Sequence, residues 1–221
     1  MSDEGHLPEP LPGDPMPLFL RWFREAREHA VQPNPDAMVL ATVDDSGSPS
    51  ARVVLCKRVD EHAGYIVFFT NRLSRKGREL AAHPRAATVM HWDRLQRQVR
   101  IEGTVVPSPD EESDSYFASR ALLSRVSAWA SEQSAPLASR QALSERVAAV
   151  ASRFGVSLDA GAGDLPRPPH WGGYRLWIDS IELWMEGAGR THDRAVWQRS
   201  LTPQGTEGFV AGPWQTTRLN P

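Results

Sequence analysis

Between residues 37 and 106 the chain is cut into short β-branched and aromatic runs, each closed by a turn, and this pattern restricts the fold more than any other feature. The runs read AMVLATV (37–43), ARVVLCKR (51–58), GYIVFFT (64–70), AATVMHW (86–92) and RQVRIEGTVV (97–106), with DDSGSPS as the first turn. Their lengths and residue types predict five strands. With a single short helix among them, the spacing predicts an antiparallel sheet closed into a barrel. That helix is expected at 75–82, with Ser74 as its N-cap.

The flanks read as helices. Phe19, Trp22, Phe23, Ala26 and Ala30 fall at helical spacing, with Arg21, Arg24, Glu25, Arg27 and Glu28 opposite, so an amphipathic helix is expected over 16–30, stopped by Gln32-Pro33-Asn34-Pro35. Ser108-Pro109-Asp110-Glu111 carries a capping Ser, a Pro at the first helical position and a Glu three residues after the cap, which predicts a helix to about residue 119. A further helix is expected over 139–154, with Leu143, Val147, Val150, Ala151 and Phe154 on one stripe. After a Gly/Pro loop at 155–170, strand-like runs return at 171–186 and 193–200. Residues 1–17 hold Pro8, Pro10, Pro12, Pro15 and Pro17 and few large apolar residues, so a flexible tail is expected there, followed by one domain over 18–221.

Charge and cysteine usage narrow the function classes. A formal charge of −2 over 221 residues provides no global footprint for nucleic acid or an anionic membrane, so anion chemistry must rest on local patches. Cys56 is the sole cysteine, which excludes an internal disulfide framework and Cys-rich metal sites and suits a reducing, cytoplasmic setting. The start of the sequence has acidic residues and prolines where a secretory signal needs a basic and then an apolar stretch, and no run approaches a membrane span. HExxH, GxGxxG after a strand, GxxxxGK[ST] and GxSxG are all missing. Cys56, inside an apolar strand, reads as an inert thiol.

Three basic constellations remain. Ser74-Arg75-Lys76 puts two cations at a helix start, where partial positive charge already gathers; a bound phosphate resolves that conflict, and a solvated basic turn is the plainer alternative. The 52–58 run brackets an apolar stretch with Arg52 and Lys57, whose odd separation sends them to opposite faces of a regular strand; charged ends of an ordinary strand are the other reading. In EGAGRTHDR (186–194), Arg190, His192 and Arg194 project to one side if the segment is extended, and could hold an anion or stabilise charge developing during reaction. A structural His192 and an Asp193 paired to a neighbouring Arg would account for the same residues.

Taken together, the segments resemble the pyridoxine/pyridoxamine 5′-phosphate oxidase family over roughly 37–221. The resemblance is carried by RVVLCK (52–57), FFTN (68–71), SRKGREL (74–80), RQVRIEG (97–103), SYFASR (115–120), SAWASEQS (127–134), WGGYRL (171–176), IELWMEG (181–187), RTHDR (190–194) and a terminal RLNP. It implies an α+β fold, an FMN-binding split β-barrel of antiparallel, Greek-key-like strands with flanking helices, working as a homodimer with sites at the subunit interface. It assigns FMN to Arg52, Val53, Val54, Leu55, Lys57, Phe69, Thr70, Arg75, Lys76, Gln98, Gln133, Ser134, Trp184 and Arg194. It assigns the substrate phosphate to Lys57, Tyr116, Arg120 and Ser124, and puts Arg190 and His192 over the substrate's pyridine ring as the catalytic pair. No metal is implied.

The implied reaction is oxidation of pyridoxamine or pyridoxine 5′-phosphate to pyridoxal 5′-phosphate, with O₂ as acceptor and H₂O₂ as product. Two alternatives stand beside it: a phenazine-biosynthesis oxidase of the same family, and a non-catalytic flavin or pyridoxal-phosphate binding protein. The sequence also departs from the family pattern. Ala121-Leu122-Leu123 replaces the usual Pro-containing segment after Ser119-Arg120, Arg125 adds a charge, Phe69 stands for a Tyr, the 155–170 loop is longer, and no basic, Tyr-containing segment is present in residues 1–17.

Overall fold

The computed structural model describes residues 5–205 and 208–221. Helix α1 (Met16–Glu28) leads into β1 (Ala37–Val43), β2 (Pro49–Leu55), β3 (Arg58–Asp60) and β4 (Tyr65–Asn71). Next come α2 (Arg75–Ala82), β5 (Arg85–Trp92) and β6 (Arg97–Pro107), then three helices, α3 (Asp110–Ala118), α4 (Leu122–Ala130) and α5 (Arg140–Phe154). The chain ends with β7 (Trp171–Met185), β8 (Asp193–Gln198), the hairpin β9 (Leu201–Gln204) and β10 (Gly208–Ala211), and β11 (Gln215–Leu219). The main sheet is antiparallel in the order β11-β8-β7-β6-β5-β1-β2, and β4, carrying β3, pairs with the first half of β7.

Strand β7 sets the topology. Residues 171–177 pair with β4, residues 180–185 pair with β8, and β6 runs along both halves. The β6–β7 register shifts between Glu102 and Gly103, where a Cβ on Gly103 would lie 1.9 Å from the Trp177 carbonyl oxygen. Only glycine allows that approach. Among the described residues no ladder joins β2 to β4, which pairs with β7 and, at its start, with β3, so the barrel is split between β2 and the end of β4 rather than closed.

The inner face is apolar. Leu40, Met90, Trp92, Val99, Ile101, Leu176, Ile181, Leu183 and Trp197 are buried, and α1 lays Phe19, Trp22, Phe23 and Ala26 over them. Trp92 meets the Phe23 ring at 6.3 Å and donates its indole N–H to the Pro35 carbonyl at 2.8 Å, which fixes the turn leading into β1.

Several expectations need correction. Ser108 does not cap α3: the helix starts at Asp110 after Pro109 with no side-chain cap, and the buried Ser108 hydroxyl has no partner. The Ser108 N–H is taken by the Gly173 carbonyl at 2.9 Å, which holds the residue against β7 and away from the helix end. Helix α4, the β9–β10 hairpin and β11 were not foreseen. Of the expected α5 stripe, only Ala151 is fully buried.

Residues 1–4 of the expected tail lie outside the described residues, but the rest of it is packed. Leu7 is 3% exposed. The Leu7 N–H bonds Asp193 at 2.8 Å, the Pro12 carbonyl accepts the Trp197 indole at 2.7 Å, and the Pro8 carbonyl accepts from Arg218 at 3.1 Å. Prolines lower the entropy lost on ordering and leave their carbonyls free for such bonds, so two leucines, Leu7 and Leu11, suffice to seat the segment. Leu7→Ala is therefore expected to cost about 2–3 kcal/mol in urea denaturation, as for other buried leucines. An unchanged midpoint would mean that the segment does not pack.

Candidate functional site

A cavity of about 930 Å³ opens at the split between β2 and β4. Residues 50–55 of β2, Lys57, residues 69–71 of β4, the start of α2, the end of α3, α4, residues 131–134 and Trp171 line it. Arg52 and Lys57 share this one cavity, although strand parity predicted opposite faces. The ladder ends at Leu55, and the Lys57 N–H turns to the Val67 carbonyl at 2.8 Å, so the alternation does not carry through.

The first cluster gathers at the start of α2. Ser74 caps the helix: its backbone is extended, its hydroxyl accepts from the Gly77 N–H at 3.3 Å, and it donates to the Asn71 carbonyl at 2.7 Å. Gly77 is required by proximity, since a Cβ there would lie 2.1 Å from the Arg72 carbonyl oxygen. Lys76 is buried and donates to Thr70 Oγ1 at 3.0 Å, Ser74 Oγ at 3.2 Å and Gln133 Oε1 at 3.0 Å. Burial, then the charge of Arg52, brings the Lys76 ammonium down to about 8. Ser134, also on the wall, has a φ of 76°, a conformation costly for a side chain larger than glycine.

Behind these cations sits Glu79. Its carboxylate bonds Arg75 Nε at 2.7 Å, Ser50 Oγ at 2.8 Å, Arg52 Nη2 at 3.3 Å, and Thr42. Burial pushes this carboxyl up, but the hydrogen bonds from Thr42, Ser50, Arg75 and Arg52 together outweigh it and hold it at about 2. The reading of the sequence missed Glu79, although its i,i+4 spacing from Arg75 was a usable signal.

The second cluster lies where α3 meets α4. Tyr116 stacks on Phe69 at 4.0 Å, and Phe69 stacks on Trp171 at 5.5 Å. The Arg120 guanidinium lies 4.7 Å over the Trp171 ring, and its Nη1 is buried without a partner. Burial depresses its pKa. Lys57 bonds Asp36 at 3.3 Å, a partner not anticipated. Ser124 stands in the first turn of α4, a helix whose N-cap, Ala121, offers no capping side chain. An unpartnered buried guanidinium nitrogen beside an uncapped helix start needs an acceptor, and an anion satisfies both.

Gln98, Trp184, Arg190, His192 and Arg194 do not line this cavity. Gln98, Trp184 and Arg194 stand in register across β6, β7 and β8. His192 lies 4.7 Å from the Trp184 ring, and its Nδ1 accepts from the Gly187 N–H at 3.2 Å. The expected one-sided row of Arg190, His192 and Arg194 does not form. Residues 188–190 make a 3₁₀ turn, with Gly189 and Arg190 at φ 62° and 66°, which turns Arg190 into solvent. Arg194 bonds Glu182 at 3.0 Å and the Asn220 carbonyl at 3.0 Å. One chain thus holds the expected site residues in two separate places.

Beside the cavity the outer face of β2 and β1 is apolar. Val53 is 65% exposed and pairs with Val39, 42% exposed, which pairs in turn with Val89. Among the described residues no group of His, Cys, Asp and Glu could hold a metal ion, and no helix is long and apolar enough to cross a membrane.

Comparisons with known proteins agree with this geometry. Residues 25–154 match the family model described as pyridoxamine 5′-phosphate oxidase, and residues 171–221 match the pyridoxine 5′-phosphate oxidase C-terminal dimerisation region. A pyridoxine/pyridoxamine 5′-phosphate oxidase of Burkholderia lata is 51% identical over 208 residues, covering 94% of this chain and 89% of that protein. One from Burkholderia cenocepacia is 50% identical over the same length. Among solved structures, PhzG from Burkholderia lata, in complex with tetrahydrophenazine-1-carboxylic acid, superposes with a TM-score of 0.80 at 32% identity, covering 95% of this chain and 94% of that one. A pyridoxamine 5′-phosphate oxidase-related, FMN binding protein from Nostoc punctiforme shares the fold, with a TM-score of 0.62 at 16% identity over 90% of this chain and 97% of that one. The split barrel, the two matched regions and the level of identity show that the chain belongs to the pyridoxamine 5′-phosphate oxidase family.

Proposed function

We propose that the chain is an FMN-dependent oxidase that converts pyridoxamine 5′-phosphate and pyridoxine 5′-phosphate to pyridoxal 5′-phosphate in the cytoplasm. The observation that carries this reading is the pair of cation clusters in one cavity, the second of them set against a stack of aromatic rings. Two anion sites and exposed aromatic faces in one cavity suit a phosphorylated cofactor and a phosphorylated pyridine. FMN, when bound, supplies the two-electron redox chemistry that ends with O₂ reduced to H₂O₂. The alcohol substrate loses two hydrogens to O₂; the amine takes up one water as well and releases ammonia.

The chain's own part is binding and orientation. Arg52, Thr70, Arg75, Lys76, Gln133 and Ser134 hold the cofactor phosphate and its polar chain, with residues 53–55 and Phe69 along its length. Lys57, Tyr116, Arg120 and Ser124 take the substrate phosphate and turn its binding energy into alignment. Arg120 is already immobilised on Trp171, so little entropy is lost when it engages the anion. Gln98, Trp184, Arg194, Arg190 and His192 reach the cavity from a second copy of the chain. The apolar β1–β2 face beside the cavity is the surface on which that copy packs, and this homodimer places two equivalent sites at the interface. His192, with Nδ1 occupied by the Gly187 N–H, presents Nε2–H as a donor to the substrate.

The likeness to PhzG favours a second reading, a phenazine-type oxidase, and the substrate tests decide between the two. The four residues of the phosphate clamp are all retained around this cavity, which supports the vitamin B6 substrate.

Three outcomes are expected. Arg120→Ala raises KM for pyridoxine 5′-phosphate about tenfold or more, the equivalent of one charged hydrogen bond, while FMN content stays normal. Turnover of a reduced phenazine precursor by a wild type inert towards both B6 phosphates would instead establish the second reading. FMN affinity falls as pH rises through about 8, because the phosphate needs Lys76 charged and above that pH a proton must be taken up on binding. Lys76→Arg removes that fall in a fluorescence titration, since a guanidinium stays charged. Val39→Glu, on the apolar face, gives a monomer by light scattering and loses FMN with it; a flavin-loaded monomer would refute the shared site.

A further inference from the structure

Glu79 is absent from the cavity wall, yet it touches two of the cations that form it. Its side chain is 4% exposed, and both carboxylate oxygens are saturated. Oε1 takes Arg75 Nε at 2.7 Å and Ser50 Oγ at 3.0 Å. Oε2 takes Ser50 Oγ at 2.8 Å, Arg52 Nη2 at 3.3 Å and the Thr42 hydroxyl. Arg52 in turn donates to the same two hydroxyls and to the Leu40 carbonyl at 3.4 Å. Each hydroxyl therefore accepts from Arg52 and donates to Glu79, so the directions of all these bonds are mutually consistent.

We propose that Glu79 is the positioning residue of the cofactor-phosphate cradle: a buried carboxylate that orients Arg52 and Arg75 towards one anion and leaves the cradle a net charge of two. The proposal rests on the FMN reading given above. Three cations, Arg52, Arg75 and Lys76, line the cavity within reach of one another, and long side chains of like charge spread apart in solvent unless something ties them. One carboxylate bonded to two of them sets their spacing and cancels one of the three charges. The remainder matches a dianionic phosphomonoester. Because the carboxylate lies behind the cations and not on the wall, it reaches the ligand only through them.

Glu79 also ties α2 to β1 and β2, which is the plainer, purely structural role. Flavins with and without a phosphate separate the two roles. The full-length chain, stripped of flavin, is titrated with FMN and with riboflavin, following flavin fluorescence, for wild type, Glu79→Ala, Glu79→Asp and Glu79→Gln. Glu79→Ala is expected to weaken FMN about tenfold or more while riboflavin shifts less than about twofold. Glu79→Asp keeps the charge but is one methylene too short to span both arginines, and is expected to lose FMN selectively as well. It remains informative if the alanine variant does not fold. Glu79→Gln keeps the reach but loses the charge and sets an amide NH2 against the donors that both oxygens accept from, and is expected to lose FMN selectively as well. Equal losses on both flavins, or FMN affinity unchanged in the alanine and aspartate variants, would overturn the proposal. A wild type that does not prefer FMN to riboflavin would overturn the cofactor reading and this inference together; a preference intact in every variant would overturn this inference alone.

Discussion

The exchange of partners halfway along β7 is the constraint on which the rest of the molecule depends. A strand of 15 residues is shared by β4, β8 and β6, and the shift at Gly103 lets the ladder on one side pass from the first half to the second. Because β4 is paired to β7 and β3 and not to β2, the barrel stays open between two lips, β2 and the end of β4 beyond β3. The cavity lies between those lips, so Arg52 and Thr70 stand on its walls from two different regular strands. Rigid strands hold ligand groups more closely than loops do, and this is the geometric basis for gathering several cations in one place.

Gathering them has an electrostatic cost that the fold offsets with buried carboxylates. An unpaired charge in a poorly solvated site costs several kcal/mol, whereas surface pairs contribute about 0–1 kcal/mol. Glu79 stands behind Arg52 and Arg75, and Glu182, 6% exposed, stands in the same way behind Arg194 and Arg100. Both carboxylates are tied to arginines on neighbouring elements, and both lie among residues for which the family resemblance implies cofactor contacts. The formal charge of −2 thus conceals local order: Arg52, Lys57, Arg75, Lys76 and Arg120 line the cavity and no carboxylate does.

Local rules made much of this legible. Ser74 was readable as a cap because its hydroxyl has a fixed task at a helix start, and α2 begins and ends where the cap and the apolar spacing put it. The 37–43 run was readable as a strand because its alternation survives burial on one face. What failed depended on breaks in regular structure. The parity of Arg52 and Lys57 was lost after Leu55, where the ladder ends and the Lys57 N–H turns to the Val67 carbonyl. The row of Arg190, His192 and Arg194 was lost to a left-handed turn that Gly189 makes inexpensive. Helix α4 was less legible because Ala121 gives it no capping side chain, although Leu122, Val126 and Trp129 have helical spacing. The packed tail escaped because its partners, Asp193, Trp197 and Arg218, lie some 185 or more residues away.

The separation of the site residues into two groups carries a thermodynamic consequence. The cavity group and the β6–β7–β8 row lie apart on one chain, so in the proposed assembly each FMN touches two chains at once. A ligand that binds the dimer and not the monomer stabilises the dimer by an amount that grows with the ratio of its concentration to its dissociation constant, about 2.7 kcal/mol at a hundredfold excess. Cofactor loading and assembly are then a single linked equilibrium, and any change that loosens the phosphate cradle also loosens the dimer. In that proposed assembly the exposed apolar face around Val39 and Val53 would supply the part of the association that is independent of cofactor. The cradle supplies the part that depends on it, which is why the orientation of Arg52 and Arg75 bears on assembly as well as on binding.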